Sequence, residues 1–386
     1  MKNLTACLLS FVLSYTANAA TALGMNDVSI LLPLPAPDQW DLLPAGTTPG
    51  GKGDLLPLSY FKSVPQIVGL ASNEQVYPAL RAVAIRLDPC FAEGFSPTGC
   101  RPQIRMIWQV LADNGDSSST FDAAVHSFYD LTGDEFSQLI SRYVEIKQKF
   151  GLQNAPTSLG INPHFSEFGL AGDYSRQVLA LITSYCGEQN LSRLTFMQLF
   201  LNGNIWAFGG LDISRTHAGT PVFADIKIPG TSATLQQFRN NAKPEPVFFS
   251  GGLSPVPTLN PEFSYLLNDS KSISLPQNEQ QISDAVRAAF KIENPGLNNP
   301  GTVDCVSCHT AQTARHWALT QFPQLNLSSR HADVIYNSDR DLTNSSPLKE
   351  RTNNLRAFGY FMDSPITAQR TINETAEVLR QVNARP

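Results

Sequence analysis

Five consecutive residues, Cys305-Val306-Ser307-Cys308-His309, set two thiols three positions apart and an imidazole directly after the second. Thiols at that spacing can each add to a vinyl group of one haem, and the histidine that follows is then placed to ligate the iron. The string therefore reads as the attachment site of one covalent haem c, with Cys305 and Cys308 as attachment points and His309 as proximal ligand. Three other chemistries use a Cys-x-x-Cys pair. Zinc needs four ligands, and the chain has no second Cys-x-x-Cys. A redox dithiol of the thioredoxin kind follows a hydrophobic strand, whereas Asn298 to Asp304 reads Asn-Asn-Pro-Gly-Thr-Val-Asp. A Cys305-Cys308 disulfide in a secreted binding protein is the non-haem alternative.

The region 271–386 resembles a class I-like mono-haem cytochrome c domain. The resemblance rests on Cys305, Cys308 and His309 and on Met362, the only methionine after residue 197, which stands shortly before a closing helix. It implies a mainly α-helical haem module with Met362 as distal iron ligand. Met362 reads equally well as a core residue beside Phe358, Tyr360 and Phe361, since methionine fills irregular apolar gaps. His331 is the alternative ligand, while His316 is two turns along the same expected helix as His309 and poorly placed to reach the opposite haem face. Arg315, Arg330 and Arg356 are candidates to pair with haem propionates, or are solvated surface charges. The chain departs from the family pattern in Pro300-Gly301, which separates the motif from the preceding helix, and in Thr310-Ala311-Gln312-Thr313, where a Gly-rich loop is usual.

The compartment agrees with this chemistry. Lys2, an apolar run from Leu8 to Tyr15 and Ala17-Asn18-Ala19 form a signal-peptide pattern, so export and cleavage after Ala19 are expected, to the periplasm or beyond the cell. Cys7 leaves with that segment. No later apolar run approaches the ~20 residues that span a bilayer. Cys90 and Cys100 bracket a short loop and are expected to form a disulfide, worth about 2 to 3 kcal/mol. Cys186 is the odd thiol and reads as buried and inert. The net charge of -5 argues against nucleic acid as a partner; a redox partner protein is expected from the haem reading, although no lysine-rich ring marks a docking face.

Elements that must position the motif follow from periodicity. Residues 25–58, rich in Pro and Gly, read as an extended arm. Ala82 to Leu87, Gln103 to Leu111 and Val222 to Ile228 alternate as strands. Helices are expected from Thr132 to Gly151, which opens with a capping box, from Asp173 to Cys186, from Ser192 to Leu201 and from Glu279 to Ile292. Asp304 is placed to cap a helix from Cys305 to about Leu319, and a terminal helix begins near Thr371.

The expected fold is thus an α+β N-terminal domain (20–250), a Pro/Gly-rich linker (251–270) and a mainly α-helical cytochrome c-like domain (271–386), after a signal peptide (1–19). His126, His164 and His217 are scattered in the first region without a catalytic motif; Asp212 and His217, close in sequence, read as a polar loop or a weak metal or acid/base site. The functional reading is an exported electron carrier. The alternatives are a haem-dependent oxidoreductase, with an open haem position or a catalytic N-terminal domain, and the non-haem binding protein.

Overall fold

Strand periodicity dominates the first half of the chain, and the computed structural model, which describes residues 23–69, 71–89, 101–153, 157–199, 205–240, 249–346 and 355–384, shows where those strands go. Ten of them form one antiparallel sheet: β1 (Ser29–Leu31), β2 (Leu80–Asp88), β3 (Gln103–Asp113), β4 (Ser118–Thr120), β5 (Ala123–Asp130), β6 (Leu191–Leu199), β7 (Ile205–Arg215), β8 (Pro221–Asp225), β9 (Leu235–Asn240) and β10 (Phe249–Ser254). Its order is β1-β2-β3-β5-β6-β7-β9-β10, with β4 on β3 and β8 on β7. Neighbours in the sheet therefore follow chain order, the pattern of a meander.

Register lines side chains of one parity into transverse rows on one face of the sheet. One row runs Arg86, Arg105, Phe128, Arg193, Asp212. The next runs Ile107, His126, Thr195, Gly210, and a third pairs Ala124, Met197 and Phe208. The opposite face carries a buried polar chain in which Trp108 Nε1 donates to Ser127 Oγ (2.7 Å) and Tyr129 OH donates to the Leu55 carbonyl (2.7 Å).

The helices that matter for the site are α1 (Met25–Val28), α2 (Gly133–Lys149), α3 (Asp173–Thr183), α4 (Glu279–Glu293), α5 (Cys305–Gln321) and α6 (Gln369–Asn383), with other short helices between them. The Thr132 capping box at the start of α2 forms as expected, with Thr132 Oγ1 accepting from Glu135 N. A hairpin, β11 (Phe358–Phe361) and β12 (Ser364–Thr367), precedes α6 and is tied to the sheet through Gln109, whose side chain bonds both the Tyr360 carbonyl (2.9 Å) and amide (2.8 Å). One apolar core runs from Val28 and Trp108 through Val306 to Leu379.

Several expectations are corrected. The segment expected as a helix from Ser192 to Leu201 is β6: Phe196, Met197 and Gln198 are buried in succession, so alternation is lost, and Leu191, Leu194 and Met197 imitate helical spacing while β5 and β7 pair on both sides. The expected linker 251–270 begins inside β10, where Gly251 and Gly252 adopt φ of +90° and +65° beside a register shift opposite Phe238 and Asn240. The glycine-rich composition there marks a bulged edge strand. Within the arm, β1 pairs with β2 and α1 is buried. The expected strand around Val222 is an edge strand, largely exposed. The terminal helix opens two residues before Thr371. Cys90, Cys100 and residues 1–19 lie outside the described residues.

Candidate functional site

Helix α5 starts at Cys305, so Cys305, Cys308 and His309, at positions i, i+3 and i+4, share one face. That face meets the rowed face of the sheet across a cavity of about 370 Å³. The sheet wall is built from Arg86, Arg105, Ile107, His126, Phe128, Arg193, Thr195, Met197 and Phe208, and the helix wall from Cys305, Cys308, His309, the 300–304 turn and Ala357, Phe358, Arg370, Thr371 and Glu374. Strands that precede residue 250 thus make half of a site whose motif lies after residue 300.

The motif is pinned to the sheet by one residue. Gln236 on β9 is fully buried; its Oε1 accepts from Val306 N (2.9 Å) and its Nε2 donates to Asp304 Oδ2 (2.8 Å). Asp304 Oδ2 also accepts from Ser307 N (2.9 Å), the expected N-cap. Burial raises the Asp304 pKa against these hydrogen bonds. The thiols are half-buried and free, and burial pushes them up to about 12 for Cys305 and about 11 for Cys308.

His309 is oriented at both ends of its ring. Nδ1 contacts the Leu355 carbonyl at 2.5 Å, which makes Nδ1 the protonated nitrogen and leaves Nε2 its lone pair, the arrangement a metal-ligating histidine uses. Its ring also lies against Phe208, with centroids 4.9 Å apart. Burial lowers the pKa of His309 and of His126, the latter to about 3, so both imidazoles are neutral.

Charge is unevenly balanced around the cavity. Arg86, Arg105, Arg193, Lys227 and Arg370 face Asp212, Asp304 and Glu374. Arg193 Nε donates to Asp212 (2.6 Å), and Glu374 accepts from Arg86 Nη1 (2.7 Å) and Arg370 Nε (2.6 Å). Burial tends to raise the pKa of Glu374, but Arg370, Arg86 and Arg105 hold it down at about 2. Arg105 lies directly opposite Arg86 across β2 and β3, over the Phe128 ring (4.6 Å); its buried Nε has no hydrogen-bond partner and its nearest carboxylate is Asp88 at 3.9 Å. Like charges directly opposed in a sheet are unfavourable. The row favours an anionic occupant.

No family model, curated protein or solved structure matches the chain.

The remaining expected residues lie elsewhere. Met362 occupies the turn of the β11–β12 hairpin at φ 55°, half exposed, with its carbonyl accepting from Thr120 N (2.9 Å). It does not line the cavity, and neither does His331, whose Nε2 contacts Ser283 Oγ at 3.0 Å. Arg315 pairs with Glu293, Arg330 with Glu279 and Arg356 with Asp122, all outside the lining. Asp212 lines the cavity while His217 is exposed, so the weak Asp212–His217 pairing is not formed. Among the described residues no three His, Cys, Asp or Glu side chains gather to hold a bare metal ion, and no helix is long and apolar enough to cross a membrane. Sequence reasoning left His126 among scattered histidines and missed Arg105 and Gln236. Strand alternation could have put His126 and Phe128 on one face, but nothing local paired that face with α5.

Proposed function

We propose that the protein is an exported c-type cytochrome that carries one covalent haem and passes electrons to or from a periplasmic or extracellular partner protein. The observation that carries this reading is the convergence of Cys305, Cys308 and His309 on one cavity, with His309 Nδ1 already engaged by the Leu355 carbonyl.

The residues present suit a haem. The volume lies in the range of small cofactor sites, and Ile107, Phe128, Phe196, Phe208, Val303 and Phe358 supply an apolar lining. Arg105 in the wall, whose nearest carboxylate is the weakly paired Asp88 at 3.9 Å, and Lys227 at the exposed rim are two cations available to the two propionates of one haem. Bound there, a haem c would supply a one-electron iron couple. Each thiol adds across one vinyl double bond, sulfur to one carbon and its hydrogen to the other, so attachment consumes neither oxidant nor reductant. His309 would offer Nε2 to the metal, and the aromatic side chains would supply an apolar surround. On this reading the haem belongs jointly to the sheet and to α5, and the first 250 residues are half of its binding site; a self-contained 271–386 module is not required.

The test is to express the chain with a haem-attachment system and measure intact mass and the pyridine haemochrome spectrum. One haem of added mass with a c-type spectrum is expected, and Cys305→Ser with Cys308→Ser together should remove both. An unmodified mass in the parent protein overturns the reading and leaves the disulfide-bonded binding protein.

A further inference from the structure

Resting on the haem reading above, we propose that His126, on the central strand β5, is the second axial ligand, so that the iron is held between an imidazole from helix α5 and an imidazole from the sheet. His126 and His309 are the histidines that line the cavity. His126 sits mid-row between Ile107 and Thr195, which line the cavity with it, so its ring projects from the wall that faces α5. That ring makes no hydrogen bond with any described residue. The residue is half-buried and opens onto the cavity, so its ring nitrogens face whatever occupies that space. A metal bond from one of them would give the ring a partner, just as the Leu355 contact already assigns the roles of the nitrogens in His309.

The competing ligand is Met197, which lines the same wall one row away beside Phe208. A thioether buried among Phe208 and its neighbours needs no polar partner, so its placement is explained by packing alone. His126 has no such explanation. Two imidazole ligands give a six-coordinate, low-spin iron with a lower potential than a histidine–methionine pair, and leave no open position for substrate. The sheet would then tune the haem for electron transfer and not for chemistry on a small ligand.

The experiment uses the mature protein matured with a haem-attachment system. Near-infrared magnetic circular dichroism and electron paramagnetic resonance of the ferric parent protein identify the axial pair without any mutation: a bis-imidazole, low-spin signature is expected. His126→Gly should convert the iron to high spin, and added imidazole should restore the low-spin spectrum by filling the vacated space. His126→Met should instead show a thioether-to-iron charge-transfer band and a higher potential. A histidine–methionine signature or a high-spin iron in the parent protein overturns the assignment, as does a low-spin spectrum that survives His126→Gly without imidazole; loss of that spectrum in Met197→Ala with retention in His126→Gly would move the ligand to Met197. A parent protein with no covalent haem refutes the underlying reading instead, so the two failures are distinct.

Discussion

Glu374 offers the sharpest test of how the cavity wall is held together. It is 8% exposed, and its two carboxylate oxygens accept from Arg86 Nη1 and Arg370 Nε, which join β2 to α6. Glu374→Gln preserves shape while removing the negative charge that faces two buried guanidinium groups. The charged form is favoured so strongly that the pKa sits at about 2. Against an unfolded value of about 4.3, and at about 1.4 kcal/mol per unit, this amounts to stability on the order of 3 kcal/mol. That agrees with the ~3 to 5 kcal/mol usually lost when one partner of a buried ion pair is removed. Because the folded pKa lies below the unfolded one, the contribution is complete above the unfolded value and is lost as pH falls towards the folded value. Urea unfolding of the parent protein and Glu374→Gln should therefore differ by about 3 kcal/mol near pH 7, with the gap closing between about pH 5 and pH 2. A gap below about 1 kcal/mol at neutral pH, or one that stays constant into acid, refutes the reasoning.

Three further outcomes follow from the geometry. Gln236→Leu strips the helix start of two hydrogen bonds and strands the Val306 amide, so the urea midpoint should drop by the equivalent of about 1 to 3 kcal/mol and the yield of covalently loaded protein should fall; unchanged values would show that α5 is placed without it. On the proposed haem reading, Met362→Ala, at a half-exposed hairpin turn outside the cavity, should leave the visible spectrum and potential of the loaded protein unaltered and shift stability by no more than about 0.5 kcal/mol, whereas a shifted potential would favour Met362 as a ligand. Cys186 is fully buried and its thiol is pushed well above its ordinary value by that burial, so a maleimide should label it only after urea unfolding; rapid labelling of the folded protein would contradict its placement.

Local rules accounted for local structure. Thr132 with Glu135, and Asp304 before the motif, announced helix starts that form with the expected capping bonds, because a cap is decided within four residues. Alternation found β2 and β3 for the same reason. It failed at β6, where both faces are covered, and at 251–270, where glycines that shape a bulged strand have the composition of a linker.

The motif itself, its common face on α5 and the polarity of its helix were legible in the chain, since residues three and four apart must meet on a helix. What faces that motif was not. The nearest methionine in the expected order, Met362, turned away into a hairpin, while His126 arrived from a strand 183 positions earlier than His309. Only strand register decided that His126 shares a row with Ile107 and Thr195, and Gln236 and Phe208 on the sheet hold the motif of α5 against it. Sequence carries the chemistry that neighbouring residues can do together; the partner across a cavity is set by long-range pairing, whose information is spread over the whole sheet.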